Sequence, residues 1–216
     1  MKIVVTTMYY SNYFELARAT VHQNLAWYCE RLGYTFVPYA LSDEVDPDPY
    51  KMACKACVKN TELILKTLED HPDCDYVFHR DCDSIILNMN RRIEDIVAEY
   101  PKEIEILFGG DKAGLSAGQM IVKNTPQVKA YLQEYLDHKA QYEHEQDFYQ
   151  KNLRDFIVIT PQHIMNSYDC VARLENPNDP ANFRDGDFLV HLAGLNLEQK
   201  MSVVQKWMGR TNFNGV

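Results

Sequence analysis

Two aspartates that follow a short apolar segment are the first residues in this chain whose spacing points to chemistry. The segment at 76–80 has the length of a buried strand and leads into Asp81-Cys82-Asp83. Open α/β sheets bind ligands just beyond the carboxyl ends of such strands, and two carboxylates placed there repel each other and require a cation. Hard divalent metals prefer carboxylate oxygens and keep positions open for phosphates. The pair therefore predicts a metal–phosphate site, with a polar turn as the alternative because Asp is common in turns.

The composition is that of one soluble globular domain. The chain has 216 residues, of which 46% are hydrophobic and 25% charged, and this length suits a single domain over 1–216. The formal net charge of −9 argues against nucleic acid as a partner, because binding to a phosphate backbone needs clustered lysine and arginine. A single nucleotide remains compatible, since a metal ion and a few local cations can invert the field of one pocket.

The N-terminus and the cysteines predict a cytoplasmic location. Residues 1–5 begin directly with a strand-like pattern, and its apolar stretch is too short for a signal peptide or a membrane span. Six scattered cysteines do not resemble a disulfide framework. Cys54 and Cys57 form a C-x-x-C pattern, but no second pair follows at zinc-site spacing, so two ordinary helix cysteines are favoured.

Strands and helices are predicted to alternate along the chain. Periodicity predicts strands at 3–6, 34–39, 76–80, 104–108, 119–122, 156–159 and 188–191, and helices at 14–31, 50–68, 127–138 and 146–153. Gly33 is expected to end the first helix, Gly109-Gly110 to end the fourth strand, and Thr125-Pro126 to begin the third helix. Loops are predicted at 7–12, 42–49 and around 177–180. The βαβαβ opening predicts an α/β fold with a mostly parallel, Rossmann-like central sheet flanked by helices.

Four segments, in order, resemble landmarks of the metal-dependent glycosyltransferases of the GT-A fold. The similarity is greatest to family 34, which includes galactosyl-, xylosyl- and mannosyltransferases, and is looser to family 8. The segments are the stretch at 72–88 with the Asp-x-Asp pair, the small-residue turn and strand at 116–122, the helix start Glu145-Gln146-Asp147, and His191-Leu192-Ala193-Gly194, which resembles the family's His-x-x-Gly segment. Together they span most of the chain, and the irregular second half is expected to form the acceptor side.

The chain departs from the family pattern at three points. Phe78-His79-Arg80 replaces an aromatic-rich run, Leu195 stands where a cysteine is usual, and the membrane anchor of Golgi enzymes is not found at the start of this sequence. These departures leave the donor sugar and the cell location undetermined. They do not alter the fold that the resemblance implies. The anchorless form is similar to soluble glycosyltransferase domains of bacteria or large algal viruses, where such a unit can be cut from a longer polypeptide; a viral protein of this kind would lie in the host cytoplasm.

The resemblance implies transfer of a sugar from a UDP-sugar to a hydroxyl of an oligosaccharide or glycoprotein glycan, with retention of anomeric configuration. It implies that Asp81, Asp83 and His191 bind the metal, with Asp83 the better direct ligand and Asp81 sharing the metal or holding ribose and sugar hydroxyls. A mixed imidazole and carboxylate shell favours Mn²⁺ over Mg²⁺. His191 on its own would more simply be a hydrogen-bonded histidine at a strand end. Nucleotide-sugar binding is expected within about 1–110, and the acceptor side and late metal ligand within about 111–216.

The donor is expected to contact strand exits and neighbouring helices. The exit of the first strand offers hydroxyls, backbone groups and an aromatic face to the base and ribose, although a loop with an exposed tyrosine would look the same. Lysines on the second helix and after the late histidine are expected to meet the sugar or the diphosphate, or else are solvated side chains. The predicted donor-binding residues are Thr6, Thr7, Met8, Tyr9, Lys55 or Lys59, Asp81, Gly118, Gly194, and Lys200 or Lys206.

Three residues are predicted to act on the sugar. Gln146 and Asp147 are placed beneath the anomeric carbon, where they would stabilise an oxocarbenium-like state, with a capped helix start as the alternative. Arg80 adjoins the metal pair and is predicted to touch the sugar, or else to pair with Asp81.

Two other functions remain open from the sequence. A phosphatase of the haloacid-dehalogenase type also carries an Asp-x-Asp after a strand, but that family places it on the first strand, whereas two βα units precede Asp81 here. The other alternative is a nucleotide-binding module without catalysis.

Overall fold

Strands and helices alternate along the chain, as its hydrophobic periodicity predicts. The computed structural model describes residues 1–42 and 48–209. Within them the strands are β1 (Ile3–Tyr10), β2 (Thr35–Leu41), β3 (Tyr76–Arg80), β4 (Ser84–Ile86), β5 (Ile106–Asp111), β6 (Gly114–Lys123), β7 (Ile157–Thr160), β8 (Ser167–Tyr168) and β9 (Leu189–His191). The α-helices are α1 (Phe14–Ala19), α2 (Ala26–Leu32), α3 (Pro49–Asp70), α4 (Ile93–Ala98), α5 (Pro126–His138), α6 (Glu145–Lys151), α7 (Gln162–Met165) and α8 (Leu197–Met208).

Six of the strands form a central sheet in the order β2-β1-β3-β6-β5-β7. Strand β6 runs antiparallel to both β3 and β5, whereas the β1–β2, β1–β3 and β5–β7 pairs are parallel. All five residues of β3 are buried, as expected for a strand whose sheet is covered on both faces. The prediction of an α/β fold with a mostly parallel central sheet is confirmed.

Helices cover both faces of this sheet. On one face, α3, α5 and α6 pack against it through side chains such as Leu68, Leu132 and Phe148. On the other face, α2, α4 and α7 contribute Tyr28, Ile96 and Met165. The result is a three-layer arrangement with a hydrophobic core on each side of the sheet.

A small second sheet, in the order β4-β9-β8, follows the end of β3. It packs on α1 and α8 through a third cluster that includes Leu16, Ile85, Val190 and Trp207. Its strands have only two or three residues. This sheet joins the end of β3 to the late part of the chain.

The first helical region and its end agree with the prediction. The α1 and α2 helices are joined by a π-helical segment, Thr20–Leu25, so helical structure is continuous over 14–32. Gly33 caps it in the left-handed conformation, with φ of 73°, which glycine adopts at little cost. Thr125 caps α5 by accepting a hydrogen bond from the Val128 N–H at 3.2 Å, with Pro126 in the first turn.

Three predicted boundaries were wrong because strands continue further than expected. β1 extends through Tyr10, where a loop was predicted at 7–12, because its β-branched and aromatic residues are buried on both faces. β5 continues through Gly109-Gly110 with a register shift after Phe108. The predicted turn at 116–118 lies inside β6.

The remaining predicted loops have different outcomes. Of the predicted loop at 42–49, residues 43–47 lie outside the described residues, and Pro49 begins α3. The region around 177–180 is irregular, as expected. No helix among the described residues is long and apolar enough to cross a membrane.

Candidate functional site

The small sheet brings the Asp-x-Asp turn beside the late histidine. Strand β4 begins directly after Asp83 and pairs antiparallel with β9, so Ser84 lies opposite His191. The backbone N–H of Leu192 also donates to the Asp83 carbonyl at 2.9 Å. Two segments that are far apart in sequence therefore meet at the carboxyl end of β3.

Three metal-ligating side chains converge at this point. His191 Nε2 lies 3.3 Å from Asp83 Oδ1 and 3.8 Å from Asp81 Oδ2. One ligand atom from each of Asp81, Asp83 and His191 lies within 4.8 Å of the other two. The side chains of Asp83 and His191 are nearly buried, whereas that of Asp81 is 32% exposed. The group is therefore recessed but open on the Asp81 side.

A lysine from α8 completes the charge balance of the site. Lys200 Nζ lies 2.7 Å from Asp83 Oδ2, and its side chain is buried. Burial alone would raise the pKa of the Asp83 carboxyl, but the charges of His191 and Lys200 outweigh it and hold that pKa well below its usual range. Burial alone would lower the pKa of His191, yet the Asp83 carboxylate raises it. Asp83 is thus an anion at neutral pH, held by the Lys200 cation and by the adjacent His191 ring.

Gly118 on β6 makes room for the Asp81 carboxylate. The Asp81 N–H donates to the Gly118 carbonyl at 2.7 Å, and a Cβ on Gly118 would stand 2.1 Å from Asp81 Oδ2. Any side chain there would displace the carboxylate. The donor set of two carboxylates and one imidazole, together with this fitted space, suits a divalent ion of the Mn²⁺ or Mg²⁺ type.

A cluster of buried polar side chains lies on the α3 side of Asp81. Asn60 Nδ2 donates to Asp81 Oδ1 at 3.1 Å, and His79 Nε2 is 3.8 Å from the same oxygen. Within the described part of the chain, Asn60 Oδ1, both His79 ring nitrogens and Glu145 Oε2 are buried without a hydrogen-bond partner. Buried polar atoms are nearly always paired in native proteins, so these atoms are candidates for contact with a polar ligand.

Glu145 begins α6 and belongs to this buried polar cluster. Its side chain is buried, and burial raises the pKa of its carboxyl to about 7, with the Asp81 charge acting in the same direction. A hydrogen bond with the Cys57 thiol opposes these two effects. The sequence pattern pointed to the two residues after it, and only burial singles out Glu145 itself.

Asp147 and Gln146 occupy different places at this helix start. The Asp147 carboxylate accepts a hydrogen bond from the His144 N–H at 3.4 Å, so its contacts are those of a helix cap. Gln146 is half-buried and stays a candidate for the group beneath the anomeric carbon.

Arg80 does not face the aspartates, contrary to the prediction that it touches the sugar. Its side chain is completely buried on the other face of β3. The guanidinium donates to the Ser84 hydroxyl at 2.7 Å and to the backbone carbonyls of Ser84 and Thr20. Arg80 therefore fixes the turn that carries the aspartates and has no access to a substrate.

The exit of β1 is more buried than the predicted loop would be. The Tyr9 hydroxyl bonds His22 Nε2 at 2.6 Å and its ring packs on α1, so this ring is not the predicted aromatic face for a base. Thr6 Oγ1 donates to the Val37 carbonyl, and Met8 packs with apolar neighbours. Thr7 Oγ1 is buried without a partner among the described residues.

The backbone at this exit still adjoins the site. β3 pairs with β1 only up to Thr6, opposite His79, whereas β2 pairs with β1 through Tyr10. The segment 7–10 therefore continues β1 beyond its paired part with β3, the strand that leads into the Asp-x-Asp turn.

The remaining predicted donor-binding residues are lysines and Gly194. Lys206 Nζ bonds Asp169 at 2.6 Å, so Lys200 is the lysine at the metal group. Lys55 and Lys59 line a cleft of about 830 Å³ between α3 and α5. Gly194 adopts φ of 77° just after β9, and this left-handed turn ends the late histidine segment.

The cysteines are all free thiols. Cys54 and Cys57 both lie near His144 Nδ1, at 3.9 and 3.8 Å. The Cys82 side chain, between the two aspartates, packs against an apolar cluster with Tyr9 and Val21 and is not among the converging ligands.

Sequence comparisons support the resemblance to family 34. The sequence model of the galactosyl transferase GMA12/MNN10 family matches residues 2–101, which include both aspartates. An α-1,2-galactosyltransferase of Schizosaccharomyces pombe is 22% identical over 82% of this chain and 56% of its own length. An uncharacterised α-1,2-galactosyltransferase of the same yeast is 31% identical over 53% of this chain and 38% of its own length. The chain thus spans about half the length, or less, of these curated relatives.

Solved structures with the same fold are glycosyltransferases. A glycosyltransferase involved in glycosylation of the major capsid of PBCV-1 superposes with a TM-score of 0.76 at 13% identity, covering 95% of this chain and 100% of that one. The galactosyltransferase LgtC, in complex with donor and acceptor sugar analogues, gives a TM-score of 0.55 at 12% identity, covering 96% and 95%. These likenesses confirm the predicted GT-A fold.

Proposed function

We propose that this chain is a metal-dependent glycosyltransferase that moves a sugar from a UDP-sugar to a glycan hydroxyl. The convergence of Asp81, Asp83 and His191 at the carboxyl end of β3, within a GT-A fold, is the observation that carries the proposal. A haloacid-dehalogenase-type phosphatase does not account for the late histidine beside the aspartates or for the similarity to glycosyltransferases. UDP-galactose is the first donor to test, because the curated relatives are named as galactosyltransferases.

The metal group would bind the diphosphate of the donor. Asp83, His191 and the exposed side of Asp81 would hold Mn²⁺, with Mg²⁺ as the alternative, and the ion would supply Lewis-acid stabilisation of the leaving diphosphate. Lys200 is close enough to share that negative charge. The backbone at 7–10 would hold the nucleoside.

The cluster of buried polar side chains around Asp81 would contact the donor sugar. Its unpaired atoms on Asn60, His79 and Glu145 match the hydroxyls of a hexose or pentose in kind, since each sugar hydroxyl can both donate and accept. Gln146, which is half-buried at the same helix start as Glu145, would face the anomeric carbon. Such hydroxyl contacts are the natural source of donor specificity, because a site built for them leaves buried polar groups unpaired with the wrong sugar.

The reaction breaks the bond between the anomeric carbon and the diphosphate oxygen and forms one between that carbon and the acceptor oxygen, and the proton of the acceptor hydroxyl passes to the departing diphosphate. We propose retention, with the departing UDP and the incoming hydroxyl on the same face of the sugar. The chain's own part is to hold the diphosphate, orient the sugar, and present polar groups to the oxocarbenium-like state. The acceptor, an oligosaccharide or glycoprotein glycan, would approach the side built from 111–216.

Turnover of a donor panel tests this function. The chain is incubated with Mn²⁺ and single UDP-sugars, with and without simple glycan acceptors, and released UDP and the glycan product are measured by mass spectrometry. The proposal expects UDP release from at least one UDP-sugar and its loss in Asp83→Ala. Release of phosphate from generic phosphomonoesters without turnover of any UDP-sugar would identify a phosphatase instead, and binding without turnover across the panel would favour the non-catalytic module.

A further inference from the structure

The second ring nitrogen of His191 meets a buried asparagine. Asn166 lies just after α7, is fully buried, and places Oδ1 2.7 Å from His191 Nδ1. Neither the sequence motifs nor the resemblance pointed to this residue. It comes from a different part of the chain than Asp81, Asp83 and His191.

The neighbours of Asn166 determine which way its amide faces. Its Nδ2 lies 2.8 Å from the Gly110 carbonyl and 3.3 Å from Asp111 Oδ2. A carbonyl and a carboxylate only accept hydrogen bonds, so the NH₂ group must face them, and the amide oxygen must face His191. An amide oxygen is itself only an acceptor, and therefore His191 Nδ1 carries the proton.

A proton fixed on Nδ1 determines what the other nitrogen can do. In the neutral ring, Nε2 then holds a lone pair, and it points at Asp83 Oδ1 and Asp81 Oδ2. A lone pair facing two carboxylates is repulsive unless a proton or a metal ion lies between them. The hydrogen bond to Asn166 thus sets the tautomer that makes Nε2 a metal ligand.

The fold gives Asn166 a rigid base. A Cβ on Gly110 would stand 2.4 Å from the Thr160 carbonyl, and one on Gly109 would stand 3.1 Å from Asn166 Cβ. The two glycines therefore let β5 approach Asn166 closely enough for the Gly110 carbonyl to hold its amide. The Asp111 carboxylate also accepts from the Tyr168 hydroxyl, which ties the same end of β5 to β8.

We infer that Asn166 is a positioning residue that orients His191 for the metal and fixes its Nδ1-protonated tautomer. The inference rests on the metal site of the proposed function. Hydrogen-bonding partners of metal-bound histidines typically change metal affinity by 10- to 100-fold when removed. The same range is expected for Asn166.

Two substitutions at this position separate positioning from mere support. Asn166→Leu removes both the acceptor for His191 and the donor to Gly110. Asn166→Asp keeps an acceptor for His191 but loses the donor and places a second oxygen beside Asp111 Oδ2, a cost to folding that thermal unfolding measures. Binding of Mn²⁺ alone is measured from the electron paramagnetic resonance signal of the free ion, with thermal unfolding recorded for each variant. Tyr168→Phe is the matched control, because it removes the hydroxyl that bonds Asp111 and interacts with the Asn166 amide, but leaves the contact of Asn166 Oδ1 with His191 Nδ1 in place.

The positioning role predicts at least about 10-fold weaker Mn²⁺ binding in Asn166→Leu, with Asn166→Asp and Tyr168→Phe within about threefold of the unmodified chain. Equal weakening in Asn166→Leu and Asn166→Asp, or no weakening in either, would overturn it. Failure of the unmodified chain to bind Mn²⁺ would instead overturn the proposed metal site. If Asn166→Leu does not fold, long-range ¹H–¹⁵N spectra of the unmodified chain loaded with Cd²⁺ decide the matter: a proton on Nδ1 of His191 supports the inference, and a proton on Nε2 overturns it.

Discussion

At the scale of single residues, the site is a balance of charges around Asp83. A buried carboxylate is stable only with close cationic partners, and Asp83 has His191 on one oxygen and Lys200 on the other. Asp81 is more exposed, and its carboxylate accepts a hydrogen bond from Asn60. Binding of a divalent ion would add a further positive charge to this group, which the diphosphate of the donor would offset.

Removal of a proposed ligand should weaken metal-dependent nucleotide binding. Asp83→Ala and His191→Ala should each lower the affinity for UDP in the presence of Mn²⁺ by about 10-fold or more, because water replaces a ligand poorly in a small coordination shell. Isothermal titration calorimetry measures this. Cys82→Ser is the control and should change little, since the thiol packs on apolar side chains; loss of metal binding in Cys82→Ser with none in His191→Ala would mark a thiolate site instead.

Glu145 should affect transfer more than nucleotide binding. If its carboxyl holds a sugar hydroxyl, Glu145→Ala should reduce kcat/KM for the UDP-sugar by roughly 10-fold or more while leaving the affinity for UDP within about threefold, because UDP lacks the sugar. Asp147→Asn, at the same helix start, is the matched control and should act on stability through its cap. If Glu145→Ala lowers the affinity for UDP and also prevents folding, the role of Glu145 is structural.

The site residues differ in how well the sequence could predict them. The Asp-x-Asp pair could be identified because two carboxylates at a strand end need a cation, and His191 through the family resemblance. The prediction for Arg80 was wrong because adjacency in sequence does not say on which face of a strand a side chain lies. Asn60, Glu145 and Asn166 are single polar residues whose role appears only when other elements close around them.

At the scale of elements, glycines decide how closely the strands and the site approach. Gly118 leaves space for the Asp81 carboxylate, and Gly109-Gly110 lets β5 approach Asn166 and the segment after β7. The sequence analysis placed these glycines in a turn or at a strand end. They lie within strands, so the predicted boundaries were wrong. The βαβαβ order was predictable from periodicity, and β9 was predicted at 188–191, whereas β4 and β8 are too short for a periodic signal.

A methyl group at Gly118 should disturb the metal site without unfolding the chain. In Gly118→Ala, the new Cβ would clash with Asp81 Oδ2, and relief by rotation of that carboxylate should weaken Mn²⁺ binding by about 10-fold. Gly209→Ala is the control, because its Cβ would find its nearest atom at 3.6 Å, an ordinary contact distance. Mn²⁺ affinity and far-ultraviolet circular dichroism are measured on both; unchanged affinity in Gly118→Ala would mean that Asp81 is not required for the ion.

At the scale of the whole molecule, the two halves of the chain depend on each other. The aspartates come from the first half, but β5, β6 and β7 complete the central sheet, and His191 and Lys200 complete the site from the second half. The net charge of −9 makes a local cation necessary for any anionic donor. The central claim is therefore that nucleotide binding requires a metal ion.

Thermal unfolding with UDP tests this claim most directly. Ligand at about 100 times its Kd adds roughly 2.7 kcal/mol to the stability of the folded chain, which corresponds to a rise in Tm of about 5–10 °C for a domain of this size. We predict such a rise with UDP and Mn²⁺ together. We predict little rise with UDP in excess chelator, and little rise when the Asp83→Ala chain is given UDP and Mn²⁺. An equal rise with UDP in the presence of chelator would contradict the metal-bridged account.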